Sequence, residues 1–138
     1  MTQTVLLVED DDVDAMAITR SFKRCGQETK LIRVTNGKEA IDHLRAENDL
    51  PDLVIMDIKM PVMNGLEALD VIKKDQDLCH IPIVITSTSS DPHDIQACYK
   101  SRGNSYIVKP SGTEASDLMI KTLTDYWFKL ATLPSKFG

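Results

Sequence analysis

Carboxylate, hydroxyl and ammonium side chains follow four short apolar runs of this sequence. In chain order they are Glu9 through Asp12, Asp14, Asp57, the hydroxyl residues 86–90 and Lys109. Carboxylates that converge resist ionising together, and a divalent cation removes that penalty. Because no His or Cys accompanies these oxygen donors, the set predicts Mg²⁺, with Mn²⁺ or Ca²⁺ as substitutes.

Asp57 is the strongest candidate for a nucleophile. It directly follows four apolar residues, where an ionised carboxylate is costly unless it has partners. Beside a divalent cation, a hydroxyl and an ammonium group, such a carboxylate can attack phosphorus and form an acyl phosphate. An acidic run alone is more typical of a solvated face or a helix cap. The coincidence of these groups after four apolar runs favours phosphoryl chemistry.

Five apolar runs, rich in β-branched residues, predict the strands that position these groups. They occupy residues 5–8, 31–34, 53–56, 83–85 and 106–108. Nearly continuous apolar runs are typical of parallel strands buried on both faces. Each gap carries helical apolar spacing, and Met119, Leu123, Trp127 and Leu130 mark a final helix. The pattern predicts an α/β, doubly wound (βα)₅ fold with its ligand site beyond the carboxyl ends of the strands.

Length and composition fit one globular domain. The 138 residues are 42% hydrophobic, and the net charge is −5 with no basic block, so nucleic acid and anionic membranes are poor partner candidates. No apolar run approaches the roughly 20 residues of a membrane span, and the N-terminus does not resemble a signal peptide. Cys25, Cys79 and Cys98 lack C-x-x-C spacing, which favours free thiols and a cytoplasmic location.

Four segments resemble the receiver domain of two-component response regulators. They are Val8-Glu9-Asp10-Asp11, the stretch 52–65 with its D-x-x-M-P-x-M-x-G motif, 81–87 and 106–110. The resemblance implies a flavodoxin-like fold with strand order 2-1-3-4-5. Residues 1–138 are then expected to be a single receiver domain, with a core of about 4–130, a short C-terminal extension of 131–138 and no output domain.

The resemblance implies a phosphoacceptor and a metal site. Asp57 would accept the phosphoryl group. Asp10 would bind Mg²⁺, or Mn²⁺ in its place, directly, and Glu9 would bind it through water. Asp57 itself and the backbone carbonyl of Lys59 would complete the protein ligands.

The resemblance also assigns the residues that would contact the phosphoryl group. The Ser87 hydroxyl would hydrogen-bond to it, and Lys109 would pair with one of its oxygens, before a cis peptide bond to Pro110. Ser87 is preferred because it lies 30 residues after Asp57 and 22 before Lys109, the usual separations in the family; Thr86 is the alternative. Tyr106 would be the aromatic switch residue that turns inward on activation.

The implied function is a phosphorylation-dependent protein-interaction switch or phosphorelay carrier. A histidine kinase or phosphotransfer protein would donate to Asp57, and the acyl phosphate would change a surface built on the fourth helix, the fifth strand and the fifth helix. The protein would catalyse only its own phosphorylation and dephosphorylation. The segment 124–128 with Leu133-Pro134 resembles the small single-domain regulators that partner phytochrome-type histidine kinases, which implies such a partner.

Three consecutive aromatic residues on the final helix predict self-association. Tyr126, Trp127 and Phe128 would span about 200° of an α-helix, wider than a core-facing stripe, so at least one should reach the surface. Together with Leu130 and Leu133 it would form a two-fold interface across the fifth helix and the C-terminal extension. The sequence therefore predicts a homodimer.

Two other functions stay open on the sequence alone. An aspartyl-nucleophile phosphatase of haloacid-dehalogenase type also places Asp after an apolar strand, but Asp57-Ile58-Lys59 lacks the second acid of its D-x-D motif. A non-phosphorylated pseudo-receiver, acting as a binding module, is expected to lose some of the site residues. This sequence keeps all of them.

Overall fold

The computed structural model describes residues 2–46 and 49–134, in which five strands alternate with five helices. The strands are β1 (Gln3–Val8), β2 (Thr29–Val34), β3 (Leu53–Asp57), β4 (Ile83–Ser87) and β5 (Ser105–Val108). The helices are α1 (Asp12–Arg24), α2 (Gly37–Ala46), α3 (Gly65–Lys74), α4 (Pro92–Lys100) and α5 (Thr113–Thr124). All strand pairings are parallel, in the order β2-β1-β3-β4-β5, which confirms the predicted fold class.

The sheet is buried on both faces. Because successive side chains of a strand point to opposite faces, each strand feeds two separate cores. One core joins Leu6, Val8, Val54, Met56, Ile83 and Ile85 to α2, α3 and α4. The other joins Val5, Leu7, Leu53, Ile55 and Val84 to α1 and α5. This double burial explains why the strands read as continuous apolar runs.

The strand order determines where a ligand can bind. The chain winds one way from β1 to β2 and the other way from β1 through β3 to β5, so the order reverses between β1 and β3. Helices on opposite faces diverge at such a point and leave a crevice beyond the carboxyl ends of the strands. Residues that directly follow β1 and β3 therefore line this crevice.

The C-terminal part of the described chain differs from a regular α-helix. After α5, residues Asp125–Leu130 form a π-helical segment, in which the N–H of Ala131 donates to the carbonyl of Tyr126 at 2.7 Å. Trp127 and Phe128 pack against the core of α1 and α5, whereas Tyr126 is exposed, as predicted for at least one aromatic. Leu130, which the sequence places at the surface with the exposed aromatic, is 76% exposed.

Two further predictions concern the C-terminal extension and the absence of a membrane-spanning segment. Of the predicted extension 131–138, residues 135–138 lie outside the described residues. Within the described ranges, every helix is too short or too polar to cross a membrane.

Candidate functional site

Three carboxylates meet where β1 and β3 end. Glu9 and Asp10 follow β1, and Asp57 is the last residue of the neighbouring β3. One oxygen from each carboxylate lies within 4.8 Å of the other two. Glu9 and Asp57 are buried and Asp10 is exposed, so the group opens to solvent on one side. Oxygen-only donors in this arrangement fit a hard divalent cation such as Mg²⁺ or Mn²⁺.

Burial is the main cause of the raised pKa values of the Glu9 and Asp57 carboxyl groups. It raises the pKa of Glu9 to about 7, against the hydrogen bond from Lys109, and the nearby Asp57 charge adds to the rise. Burial also raises the pKa of Asp57, although the Lys109 charge lowers it. Both shifts express the cost of placing a negative charge in a partly dehydrated crevice. A bound cation would remove that cost.

Lys109 reaches this group from the end of β5. Its Nζ donates to Glu9 Oε1 at 2.7 Å and to Asp14 Oδ2 at 2.8 Å, and it lies 3.5 Å from Asp57 Oδ1. Burial lowers the pKa of Lys109, but the hydrogen bonds to Asp14 and Glu9 outweigh burial and raise it overall. The ammonium therefore stays charged at physiological pH.

The predicted cis bond before Pro110 is wrong. No peptide bond between described residues is cis, so Lys109–Pro110 is trans. For an X–Pro bond the two isomers differ by only about 0.5–1 kcal/mol, so the surrounding fold and not the dipeptide decides between them.

The two candidate hydroxyls occupy different positions at the end of β4. Thr86 is the register partner of Asp57, so their side chains project from the same face of the sheet. Ser87 is the last residue of β4, and its buried Oγ accepts a hydrogen bond from the N–H of Ser89 at 3.1 Å. A phosphoryl-binding role for Ser87 stays a prediction from the family spacing.

Tyr106 links β5 to the β4–α4 loop. Its hydroxyl donates to the carbonyl of Ser89 at 2.8 Å, and its N–H donates to the hydroxyl of Tyr99 at 3.1 Å. Its half-buried ring packs against the core formed with α2, α3 and α4. Ser89 also donates to Asp94 of α4 at 2.8 Å. The predicted switch residue is thus bonded to the segment that follows Ser87.

The β3–α3 loop fixes the backbone around Asp57. The N–H of Gly65 donates to the carbonyl of Ile58 at 2.8 Å, and a Cβ at Gly65 would collide with the carbonyl oxygen of Asp57. Asn64 and Glu67 form a capping box that starts α3 directly after this contact. The final glycine of the D-x-x-M-P-x-M-x-G motif is therefore a steric requirement. Lys59 lies in this loop with its side chain exposed.

Sequence reasoning missed what the remaining acids of the first loop do. Asp11 caps α1 by accepting the N–H of Asp14 at 3.0 Å, and Asp12 pairs with Arg33 at 2.9 Å. Arg33 also donates to the backbone carbonyl of Glu9 at 3.0 Å. The capping position was readable from the start of the helical pattern. The contacts of this loop with Arg33 of β2 and with Lys109 after β5 form only in the folded sheet, so the sequence does not show them.

A match to a family model shows to which family the chain belongs. The model of the response regulator receiver domain matches residues 5–121. The chain belongs to the response regulator receiver domain family. Receiver domains are generally non-catalytic signalling modules that partner histidine kinases, and the predicted function is confirmed at this level.

Relatives of this receiver domain resemble it along most of its length. Probable methanogenesis regulatory protein FilR2 of Methanothrix harundinacea is 35% identical over 127 residues, covering 89% of this chain and 82% of FilR2. Response regulator Rcp1 of Synechocystis is 28% identical, with 96% of this chain and 94% of Rcp1 covered.

Solved structures agree with this relationship. The phosphorylated cyanobacterial phytochrome response regulator RcpA has a TM-score of 0.92 and 32% identity, with 98% of this receiver domain and 100% of RcpA covered. The Mn²⁺-bound form of Rcp1 has a TM-score of 0.88 and 28% identity, with 96% of this chain and 99% of Rcp1 covered. The predicted likeness to phytochrome-partner regulators is confirmed, and the family and strand order argue against a haloacid-dehalogenase-type phosphatase.

Proposed function

We propose that Asp57 accepts a phosphoryl group from a histidine kinase or phosphotransfer protein. The convergence at Asp57 carries this proposal, because the Lys109 ammonium lies 3.5 Å away and the Glu9 and Asp10 carboxylates within 4.8 Å. An Asp57 oxygen attacks the phosphorus of phosphohistidine, and a P–O bond forms as the P–N bond breaks. The imidazole nitrogen leaves with the bonding electron pair and takes up a proton.

The other site residues support this transfer. Glu9, Asp10 and Asp57, with the carbonyl of Lys59, would hold Mg²⁺ or Mn²⁺, which when bound neutralises charge on the phosphoryl oxygens. Lys109 supplies a permanent positive charge beside Asp57, since its pKa is raised. The protein thereby catalyses only its own phosphorylation and dephosphorylation.

Ser87 and Tyr106 form the proposed output path. Ser87 Oγ accepts from the N–H of Ser89, whose carbonyl accepts from the Tyr106 hydroxyl. A movement of Ser87 toward the phosphoryl group would break the first bond and displace the loop that holds the second. Tyr106 would then change the surface of α4, β5 and α5, which a partner protein reads.

The partner kinase is proposed to be of phytochrome type. The likeness to RcpA over 98% of this chain supports it. Phosphotransfer from a panel of purified histidine kinases, phytochromes included, ranks the partners by rate. A phytochrome that is slower than the other kinases would contradict this choice.

The proposal also includes a single receiver domain over residues 1–138, a cytoplasmic location and a homodimer through α5 and the C-terminal extension.

The phosphoacceptor is tested with acetyl phosphate and Mg²⁺. Intact mass should show one added phosphoryl group on the wild type and none on Asp57→Asn, and EDTA should abolish the uptake. Asp70→Asn is a matched control, because Asp70 is a carboxylate on α3 whose side chain pairs with Lys74. Phosphorylation of Asp57→Asn would overturn the assignment. An unlabelled wild type would favour the pseudo-receiver alternative.

A further inference from the structure

We propose that Asp14 is a positioning residue that restrains Lys109 in the unphosphorylated protein. Asp14 lies in the first turn of α1, and its Oδ2 accepts a hydrogen bond from Lys109 Nζ at 2.8 Å. The distance from the same Nζ to Asp57 Oδ1 is 3.5 Å, so the ammonium is held by Asp14 more closely than by the phosphoacceptor. This inference rests on the proposed function of Asp57.

The ammonium of Lys109 has three N–H donors. Glu9 and Asp14 take up two of them at 2.7 and 2.8 Å. A phosphoryl group on Asp57 adds three oxygen acceptors beside the same ammonium, and these compete for its donors. The third N–H can donate to one phosphoryl oxygen, so a second bond to the phosphoryl group requires that one of the existing acceptors give way.

Asp14 is the acceptor that can release Lys109 at the lower cost. The Asp14 side chain is 42% exposed, so water can replace Lys109 as its partner. The Glu9 side chain is 1% exposed, so water cannot replace Lys109 there. Both Asp14 and Lys109 also line a cavity of about 520 Å³ between α1 and the start of α5. The Asp14 carboxylate therefore has room to rotate.

The Asp14 carboxylate has no structural duty elsewhere in the described part of the chain. Lys109 is its hydrogen-bond and ion-pair partner there, and the cap of α1 uses the backbone N–H of Asp14. The neighbouring Asp12 differs, because it pairs with Arg33 on β2. Removing either carboxylate therefore takes one negative charge from the first turn of α1. Of the two side chains, Asp14 is the one that contacts Lys109.

Beryllofluoride, a phosphoryl mimic, tests the restraint in the full chain. With saturating Mg²⁺, calorimetry should give a Kd that is lower for Asp14→Asn than for the wild type by about three- to fivefold, since the loss of a partly exposed ion pair has effects up to this size. Asp14→Glu should restore the wild-type value to within about twofold. Asp12→Asn should leave the Kd close to that of the wild type.

A double-mutant cycle with Lys109→Met separates restraint from general charge. If Asp14 acts through Lys109, Asp14→Asn should have no effect on the Kd in the Lys109→Met background. An unchanged or higher Kd for Asp14→Asn, or an equal gain from Asp12→Asn, would overturn the inference. Those outcomes leave the proposed function intact, because the wild type still binds the mimic. A wild type that neither binds beryllofluoride nor accepts a phosphoryl group from acetyl phosphate would overturn both the inference and the proposed function.

Discussion

At the residue scale, side chains of one type perform different tasks according to their partners. Glu9 and Asp10 lie in the candidate metal group, Asp11 caps a helix and Asp12 pairs with Arg33. Burial separates them further, because Glu9 is 1% exposed and the other three are exposed. Burial raises the pKa of Glu9 to about 7, which makes this carboxyl group sensitive to pH in the physiological range.

Glu9 should make the metal-free protein less stable as the pH rises. Its pKa is raised from 4.5 to about 7 on folding, so its contribution is fully present below pH 4.5 and is lost as the pH rises through about 7. Glu9→Gln lacks this titration. The free energy of unfolding of the wild type, measured with urea in EDTA, should therefore fall relative to Glu9→Gln by on the order of 2 kcal/mol across this range. Parallel pH profiles would contradict the buried, titrating Glu9.

At the element scale, the end of α4 has a left-handed backbone conformation at a residue that is not glycine. The N–H of Gly103 donates to the carbonyl of Cys98 at 2.9 Å, and that of Arg102 donates to the carbonyl of Tyr99 at 3.0 Å. These two bonds form a Schellman motif, whose central residue takes a left-handed conformation. That residue is Arg102, with φ of 70°.

Arg102→Gly should stabilise the protein. The left-handed conformation costs an L-residue roughly 1–2 kcal/mol, and the extra freedom of glycine in the unfolded chain offsets part of the gain. We expect a net increase of about 0.5–1 kcal/mol in the free energy of unfolding, measured by urea denaturation. Lys100→Gly, in the last turn of the same helix, is the control and should destabilise by a similar amount. Loss of stability in both variants would refute the strain at Arg102.

At the scale of the whole molecule, apolar side chains remain uncovered along β5, α5 and the π-helical segment. Val108, Leu118, Tyr126 and Leu130 are each exposed by 46–76%. Val108 and Leu118 line a groove of about 410 Å³, which is formed mainly by apolar residues of β5 and α5. Exposed apolar side chains of this kind are typical of a protein–protein interface, and the proposed homodimer would bury them.

Substitutions of Tyr126 and Leu130 test the homodimer at two exposed side chains. Removal of the whole segment would also take away Trp127 and Phe128, which pack on the core. Tyr126→Asp combined with Leu130→Asp should shift sedimentation at micromolar concentration from dimer to monomer, with and without beryllofluoride. Val13→Asp, at an exposed apolar residue of α1, should leave the dimer intact. A wild-type monomer under both conditions would contradict the proposed interface.

The sequence by itself determined the strands, their order of occurrence and the position of Asp57. Parallel strands covered on both sides need apolar residues at consecutive positions, so β3 and the carboxylate at its end are visible as a local pattern. The steric need for Gly65 and the cap at Asp11 also arise within one stretch of sequence, from contacts eight and three positions away, although sequence reasoning assigned neither. Family resemblance added the strand order, which the structure confirms.

Only the tertiary structure decided which charges meet. Lys109 contacts Asp14 across 95 positions and Glu9 across 100, and Arg33 reaches Glu9 from the neighbouring strand. No local period encodes such pairs, since they follow from strand order and from the rotation of α1 on the sheet. The π-helical segment Asp125–Leu130 is likewise not visible in the sequence, because three consecutive aromatic residues do not reveal that each turn contains one extra residue.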